Sequence, residues 1–462
     1  MRAELEIPLL LSEIISAIGG FCASEIKASE IRAISTDTRE LKGGDLFIAL
    51  PGKSYDGESF CTDAESAGAI CVSKIHKSGI LVKDTTRALC KIASLYRKKL
   101  KNLKNVIAIT GSVGKTTTKE LLKRLLSRDH SVHATKGNYN NQIGVAYTIL
   151  TCPANADTMI VEMGMNHRGE IKESSLMAKP SIAIITRIGT AHIGNLGSKE
   201  MIAKAKMEIT EGLTENGTLI IPYGEPLLKP SCKHKTVSTS DVQSDFSLIP
   251  IEASTEGTRF ILKQERHPAT VEHVSIFGLG NLNSLAFAAA CALEIGIDAK
   301  DLHSVFSSIS FDITRQKVIY WQDRCIIDDS YNASFESVIA AFDFLNFFRG
   351  RRLAVLGDIL ELGSETESIH FKIGAEAVSH GIDTLFLFGV YSPFIARGAL
   401  CAGMEHSKIF VNSDCAAPHV TENCVREQTK PGDVILFKAS HQCNLSSMIE
   451  RIKSNERDDY AG

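Results

Sequence analysis

The sequence predicts an α/β protein of three domains, on three observations. Its 462 residues exceed what a single hydrophobic core usually organises. Short apolar runs alternate with helical stretches through the middle and again through the last third, the pattern of parallel strands joined by crossover helices. A glycine-rich turn, Thr110-Gly-Ser-Val-Gly-Lys-Thr-Thr117, stands between one such run and a helix. The composition, 44% hydrophobic and 23% charged, is that of an ordinary folded protein. A formal net charge of −3 provides no basic field for nucleic acid or an anionic membrane, so local clusters must do any phosphate binding.

The first domain is expected over residues 1–101. Ile7, Leu11, Ile14, Ile15 and Ile18 follow helical spacing and predict an amphipathic helix at the start, while Glu4, Glu6 and Glu13 argue against a signal peptide. Ile34-Ser-Thr-Asp-Thr-Arg39 and the apolar strand within Gly44-Asp-Leu-Phe-Ile-Ala-Leu50 follow. A helix over 85–103 runs into a basic, polar stretch that reads as a linker. The second domain, 102–312, opens on the buried strand 105–110, continues through a helix over 117–128 and strands 158–162 and 181–186, and closes on an alanine-rich helix over 283–296. The third, 313–462, repeats the alternation in strands 352–357, 384–389 and 433–438 and reads as a smaller, Rossmann-like domain. No run approaches the length of a membrane span. The twelve cysteines include no Cys-x-x-Cys pair and are simplest as reduced thiols of a cytoplasmic protein.

The turn after strand 105–110 is where backbone amides and a helix N-terminus cradle phosphates, with Gly111, Ser112, Gly114 and Thr117 shaping it, Lys115 facing β/γ oxygens and Thr116 holding Mg²⁺. Its first glycine is missing from the strict eight-residue pattern, where Ile109 stands. Glu162 ends an apolar strand, which suits either a metal ligand or a solvated strand end. His192, in Thr186-Arg-Ile-Gly-Thr-Ala-His192, either completes a metal shell or is structural. Lys206 shares a helix face with Ile202 and Ile209 and must either snorkel outward or have a use inside. Lys136-Gly-Asn-Tyr-Asn-Asn-Gln-Ile-Gly144 is by itself a turn-rich loop.

Taken in order, T-G-S-x-G-K-T-T, K-G-N-x-N-N, the Glu162–Ile171 segment, I-G-x-A-H and A-K-x-E-I at Ala205–Ile209 resemble the Mur ligase family, over about residues 30–445. Ile327-Asp-Asp-Ser-Tyr-Asn-Ala333 and Leu356-Gly-Asp-Ile-Leu-Glu-Leu-Gly363 look like the members that add D-alanyl-D-alanine, and Ser35-Thr-Asp-Thr-Arg39 with Tyr55-Asp-Gly57 like their UDP-sugar domain. The resemblance implies an ATP-dependent ligase that phosphorylates the terminal carboxylate of UDP-MurNAc-tripeptide and lets the dipeptide amine displace phosphate. It implies a UDP-substrate domain bearing Ser35, Thr36, Asp37, Arg39 and Asp56, a central ATPase domain and a C-terminal domain that receives the dipeptide. By the same resemblance Lys115 and Thr116 serve ATP and Mg²⁺; Glu162, His192 and a carbamylated Lys206 hold metal; Arg315 and Asp329 lie near the base and ribose; and Asn138, Asn332 and Asp358 meet substrate. A cytoplasmic monomer is expected.

Two segments depart from the family pattern. Gly278-Leu-Gly-Asn-Leu-Asn283 lacks a histidine and leaves Asn281 and Asn283 as alternatives for adenine, and Lys438-Ala-Ser-His441 replaces K-G-S-R. The rivals are another ligase of the family, adding a single amino acid or glutamate to folate, and a P-loop NTPase switch. The switch has no N-K-x-D to rest on and leaves the Lys136 loop and Lys206 unexplained.

Overall fold

Three sheets with helices packed on them organise residues 1–22, 30–52, 56–264, 269–307, 309 and 316–454, the residues described by this computed structural model. The first sheet runs Arg2–Leu10, Glu30–Ser35, Leu46–Ile48, Ile70–Ser73, Ile80–Leu81 and Phe21–Cys22, with antiparallel pairs at its two edges and parallel pairs between. The opening stretch differs from the helix expected there. Ala3, Leu5 and Leu9 face the core while Glu4 and Glu6 face water, a period of two, so residues 2–10 pair as a strand and the helix is confined to Leu11–Ile18. Ile7 falls four residues before Leu11 and extends the helical spacing by coincidence.

The helix Thr85–Lys99, capped by Asp84, buries Leu89, Ile92, Ala93 and Tyr96 and packs on the helix Gln142–Leu150 of the next sheet. One apolar cluster therefore spans the first sheet and one face of the second.

The second sheet has nine strands, in the order Thr270–Val274, Gly257–Gln264, Phe246–Ser254, His234–Ser238, Thr218–Pro222, Ile182–Ile185, Asn105–Thr110, Thr158–Glu162 and Val132–Ala134. The first three form an antiparallel extension that the strand alternation does not announce; the rest are parallel. The strand Asn105–Thr110, apolar from Val106 to Ile109, lies between Ile182–Ile185 and Thr158–Glu162, covered on one side by the helices Lys115–Leu126 and Leu279–Glu294. The third sheet runs Lys317–Trp321, Arg324–Asp328, Val434–Lys438, Arg352–Gly357, Thr384–Phe388 and Ile409–Asn412, parallel after its first pair. The boundary expected at 312 lies outside the described residues. In the second and third sheets the loops at the strands' carboxyl ends are where an α/β fold places a ligand.

Candidate active site

The glycine-rich turn closes because Gly111 adopts φ +152° and a side chain there would strike Thr186 Oγ1. Thr186 stitches the turn to the neighbouring strand end: its N–H donates to Thr110 O at 2.9 Å and its hydroxyl to Val113 O at 2.6 Å. Ser112 N–H donates to Arg187 O, and Gly189 N–H to Ser112 Oγ. The helix Lys115–Leu126 then starts directly after Gly114, with its first-turn amides at the turn. Lys115 Nζ donates to Gly111 O at 2.7 Å, folded back over the loop.

Pairing of Ile109 with Glu162 sets the acid beside this turn. Glu162 is wholly buried; Oε2 accepts from Thr116 Oγ1 at 2.9 Å and Oε1 from Asn140 Nδ2 at 2.8 Å. A solvated strand end is thereby excluded. Asn140 O accepts from Gly164 N–H at 2.7 Å, which brings the 136–144 loop and the Glu162–Gly164 segment together.

Sequence reading misses Lys119. It is fully buried, donates to Thr135 O (2.7 Å) and Gly137 O (3.0 Å), pairs with Glu120 (3.0 Å) and lies 3.9 Å from Glu162 Oε2. Its place three and seven residues before Leu122 and Leu126, both buried, is the signal that could have found it.

Lys206 does not snorkel. It is 1% exposed in the helix Lys199–Met207, and its amine has no hydrogen bond or ion pair among the described residues. Desolvation, and then the charge of Lys115, hold that amine well below the ordinary lysine range. Two residues on, Glu208 accepts from Gly169 N–H and so ties this helix to the one at Glu170–Ala178.

These parts surround a cleft of about 330 Å³, within the range of small-molecule sites. Ser112, Gly114, Lys115, Thr116, Thr117, Asn138, Glu162, His192 and Asn281 line it from the central sheet, and Asp329 and Asn332 from the third. Asn281 reaches it and Asn283 does not; Asn281 Nδ2 donates to Phe277 O and Gln316 Oε1. Asp329 is paired at 2.8 Å with buried Lys438, which also donates to Asn332 O. Exposed His441 lies with its ring 5.6 Å from that of Tyr331, another lining residue. Arg315 and Tyr55 lie outside the described residues.

Several expected residues stand elsewhere. Asp358 does not line the cleft: its two oxygens accept from Val390 and Tyr391 N–H, both at 2.9 Å, and anchor a turn of its own sheet. Burial raises its carboxyl above the usual range. Ser35, Thr36, Asp37 and Arg39 gather around Met1 on the first sheet: Thr36 N–H and Ser35 Oγ donate to Met1 O, and Arg39 grips Asp37 through two bonds of 2.6 and 2.9 Å. That arginine holds the Asp37 carboxyl far below its usual range. Asp56 caps a short turn by accepting from Glu58 N–H.

Among the described residues no three His, Cys, Asp or Glu side chains gather as a metal cage. The donor set instead suits Mg²⁺, which keeps waters and takes one or two protein oxygens beside substrate phosphates: a buried carboxylate already hydrogen-bonded to a threonine hydroxyl at the loop.

The Mur ligase middle domain profile matches residues 109–292, the Mur ligase glutamate ligase domain profile 314–441 and the Mur ligase family catalytic domain profile 30–97. The chain belongs to the Mur ligase family. This Mur ligase is 36% identical to the UDP-N-acetylmuramoyl-tripeptide–D-alanyl-D-alanine ligase of Bacillus subtilis, over 94% of this chain and 95% of that one. With the enzyme of that description from Escherichia coli it shares 32% identity over 85% and 88% of the two chains. The crystal structure of MurF from Acinetobacter baumannii superposes with a TM-score of 0.87 at 27% identity, covering 97% and 99% of the chains. MurF ligase from Thermotoga maritima in complex with ADP does so with 0.80 at 26%, covering 91% and 96%. The three-domain α/β Mur ligase fold is thus the fold of this chain.

Proposed function

We propose that this chain is an ATP-dependent ligase that joins D-alanyl-D-alanine to UDP-MurNAc-tripeptide in peptidoglycan precursor synthesis. The carrying observation is end-to-end similarity to ligases of that description, together with a cleft that sets a phosphate loop opposite the third sheet. ATP binds with its phosphates on the amides of Ser112–Thr117 and its adenine toward Asn281. Lys115 offsets charge on the transferring phosphoryl group, which the tripeptide carboxylate accepts as an acyl phosphate. The dipeptide amine, brought by the C-terminal domain, then attacks the acyl carbon and phosphate leaves, with no covalent enzyme intermediate.

Thr116, Glu162 and His192 would hold Mg²⁺, which supplies charge neutralisation between two anions that must approach each other. Lys206 fits the same purpose in a different form. Its amine, unpaired and depressed, is the neutral nucleophile that CO₂ converts to a carbamate, an anionic oxygen ligand. In this reading residues 1–101 hold the UDP-sugar, 102–312 ATP and 313–462 the dipeptide, and the protein works as a cytoplasmic monomer; the cysteines are free thiols, as a reducing compartment keeps them, and among the described residues no helix is long and apolar enough to cross a membrane. Asp358 is withdrawn from the substrate set, being spent on the Val390–Tyr391 turn.

The test is ADP release by purified protein with each substrate alone, with both, and with single amino acids in place of the dipeptide. Release is expected only with the UDP-tripeptide and D-Ala-D-Ala together. Equal release without them would contradict a ligase, and a preference for a single amino acid would point to another member of the family.

A further inference from the structure

The loop that carries His192 is held by two carboxylates from the far side of the cleft. Glu336, buried at the start of the helix Phe335–Leu345, accepts from Thr190 N–H at 2.9 Å and Thr190 Oγ1 at 3.0 Å. Glu361, in the Leu356–Gly363 segment, sets Oε2 2.6 Å from His192 Nδ1. The backbones meet beside this contact: Gly194 N–H donates to Glu361 O at 2.9 Å, and a Cβ at Gly194 would come within 2.5 Å of Gly363 N. Asp358, three residues earlier, fixes the same segment to its own sheet. One acid thus anchors the segment and the other reaches out from it.

A carboxylate only accepts, so Nδ1 carries the proton in this contact and Nε2 is left as the ring's coordinating atom. Nε2 has no partner among the described residues, and the side chain lines the cleft. His192 also has φ +65°, a conformation that a residue with a Cβ keeps only when its surroundings impose it. Among those surroundings are Glu336, Glu361 and Gly363, all from the third sheet's side.

We propose that Glu361 is a positioning residue: by accepting the Nδ1 proton of His192 across the boundary between the second and third sheets, it turns Nε2 toward the metal. The inference rests on the reading of His192 as a metal ligand. It makes full metal affinity depend on docking of the C-terminal domain, so that charge on the two anions is offset only when the domain that brings the amine is in place. An imidazole whose second nitrogen is held by a carboxylate is a stiffer and more basic ligand than a free one.

The test titrates Mn²⁺ into the ADP-loaded protein and reads free metal by electron paramagnetic resonance, for the unmodified chain and for Glu361→Ala, Glu361→Gln and His192→Ala, with thermal melting as a check of folding. Glu361→Ala is expected to weaken Mn²⁺ binding about 10–100-fold, the usual effect of removing such a partner. Glu361→Gln should stay close to the unmodified chain, because the amide oxygen accepts the same N–H. Unchanged affinity in Glu361→Ala, with affinity lost in His192→Ala, would overturn the inference and leave the metal reading standing. Unchanged affinity in His192→Ala would overturn both. Independently of any variant at Glu361, ¹⁵N spectra of the imidazole should show a protonated Nδ1, and a proton on Nε2 alone would overturn the proposal.

Discussion

Two lysines of the central domain are buried to the same degree and live in opposite surroundings. Lys119 is ringed by oxygens: two carbonyls, Glu120 and, at 3.9 Å, Glu162. Lys206 has no such partner among the described residues, and the charge that bears on it is that of another cation, Lys115. A buried ammonium with partners is a brace; one without them is unstable as a cation and available as an amine. Burial alone therefore does not distinguish structure from chemistry, and the count of oxygens around the nitrogen does.

The largest expected effect belongs to the brace. Lys119→Met leaves Glu162 without its nearest cation and two carbonyls without a donor, and should lower unfolding free energy by about 3–5 kcal/mol in denaturant titration. A variant as stable as the parent would break the contrast from this side. Lys206→Met should do the reverse, reducing ligation about 10²–10³-fold, the scale of a lost charge-stabilising group, while making the protein more stable. The sign follows from proton binding. In CO₂-depleted buffer the unfolded lysine, near pKa 10.4, holds a proton that the native one refuses, so the native state loses stability as pH falls below about 10. The gain on Lys206→Met is accordingly greatest around neutral pH and fades as pH approaches 10. A loss of stability at pH 7 would contradict the depressed amine.

How much of this was legible depended on whether a residue's task leaves a periodic trace. The phosphate turn, Glu162 and Lys206 stand at the ends of strands with apolar cores or on an apolar helix face, so the sequence exposes them. Lys119 sits in the polar run Thr116-Thr-Thr-Lys-Glu120, where only its spacing to Leu122 and Leu126 betrays the core. Asp358 and Glu361 share a loop with no period at all. Backbone direction separates the two acids there: Asp358 accepts from the Val390–Tyr391 turn of its own sheet, while Glu361 reaches His192. Arg2–Leu10 was misread because its inward positions run into a helix that begins at Leu11.

Smaller effects sharpen the picture. Asn140→Ala removes one of the hydrogen bonds that hold Glu162 and should cost about 1.5–3 kcal/mol, as a bond to a charged group does. A cost near that of Lys119→Met would place the brace's effect in Glu162 rather than in the carbonyls. Asp358→Ala orphans two backbone N–H groups but also removes a desolvated carboxylate, so the net loss should be about 1 kcal/mol, with KM for the dipeptide unchanged. A raised KM would return Asp358 to the substrate set.

The contrast between the two lysines is tested most directly by ¹³C nuclear magnetic resonance of the protein equilibrated with ¹³C-bicarbonate. The account predicts one carbamate carbonyl signal that persists in folded Lys119→Met and disappears in Lys206→Met. A signal that survives Lys206→Met, or none in the unmodified protein, would contradict it.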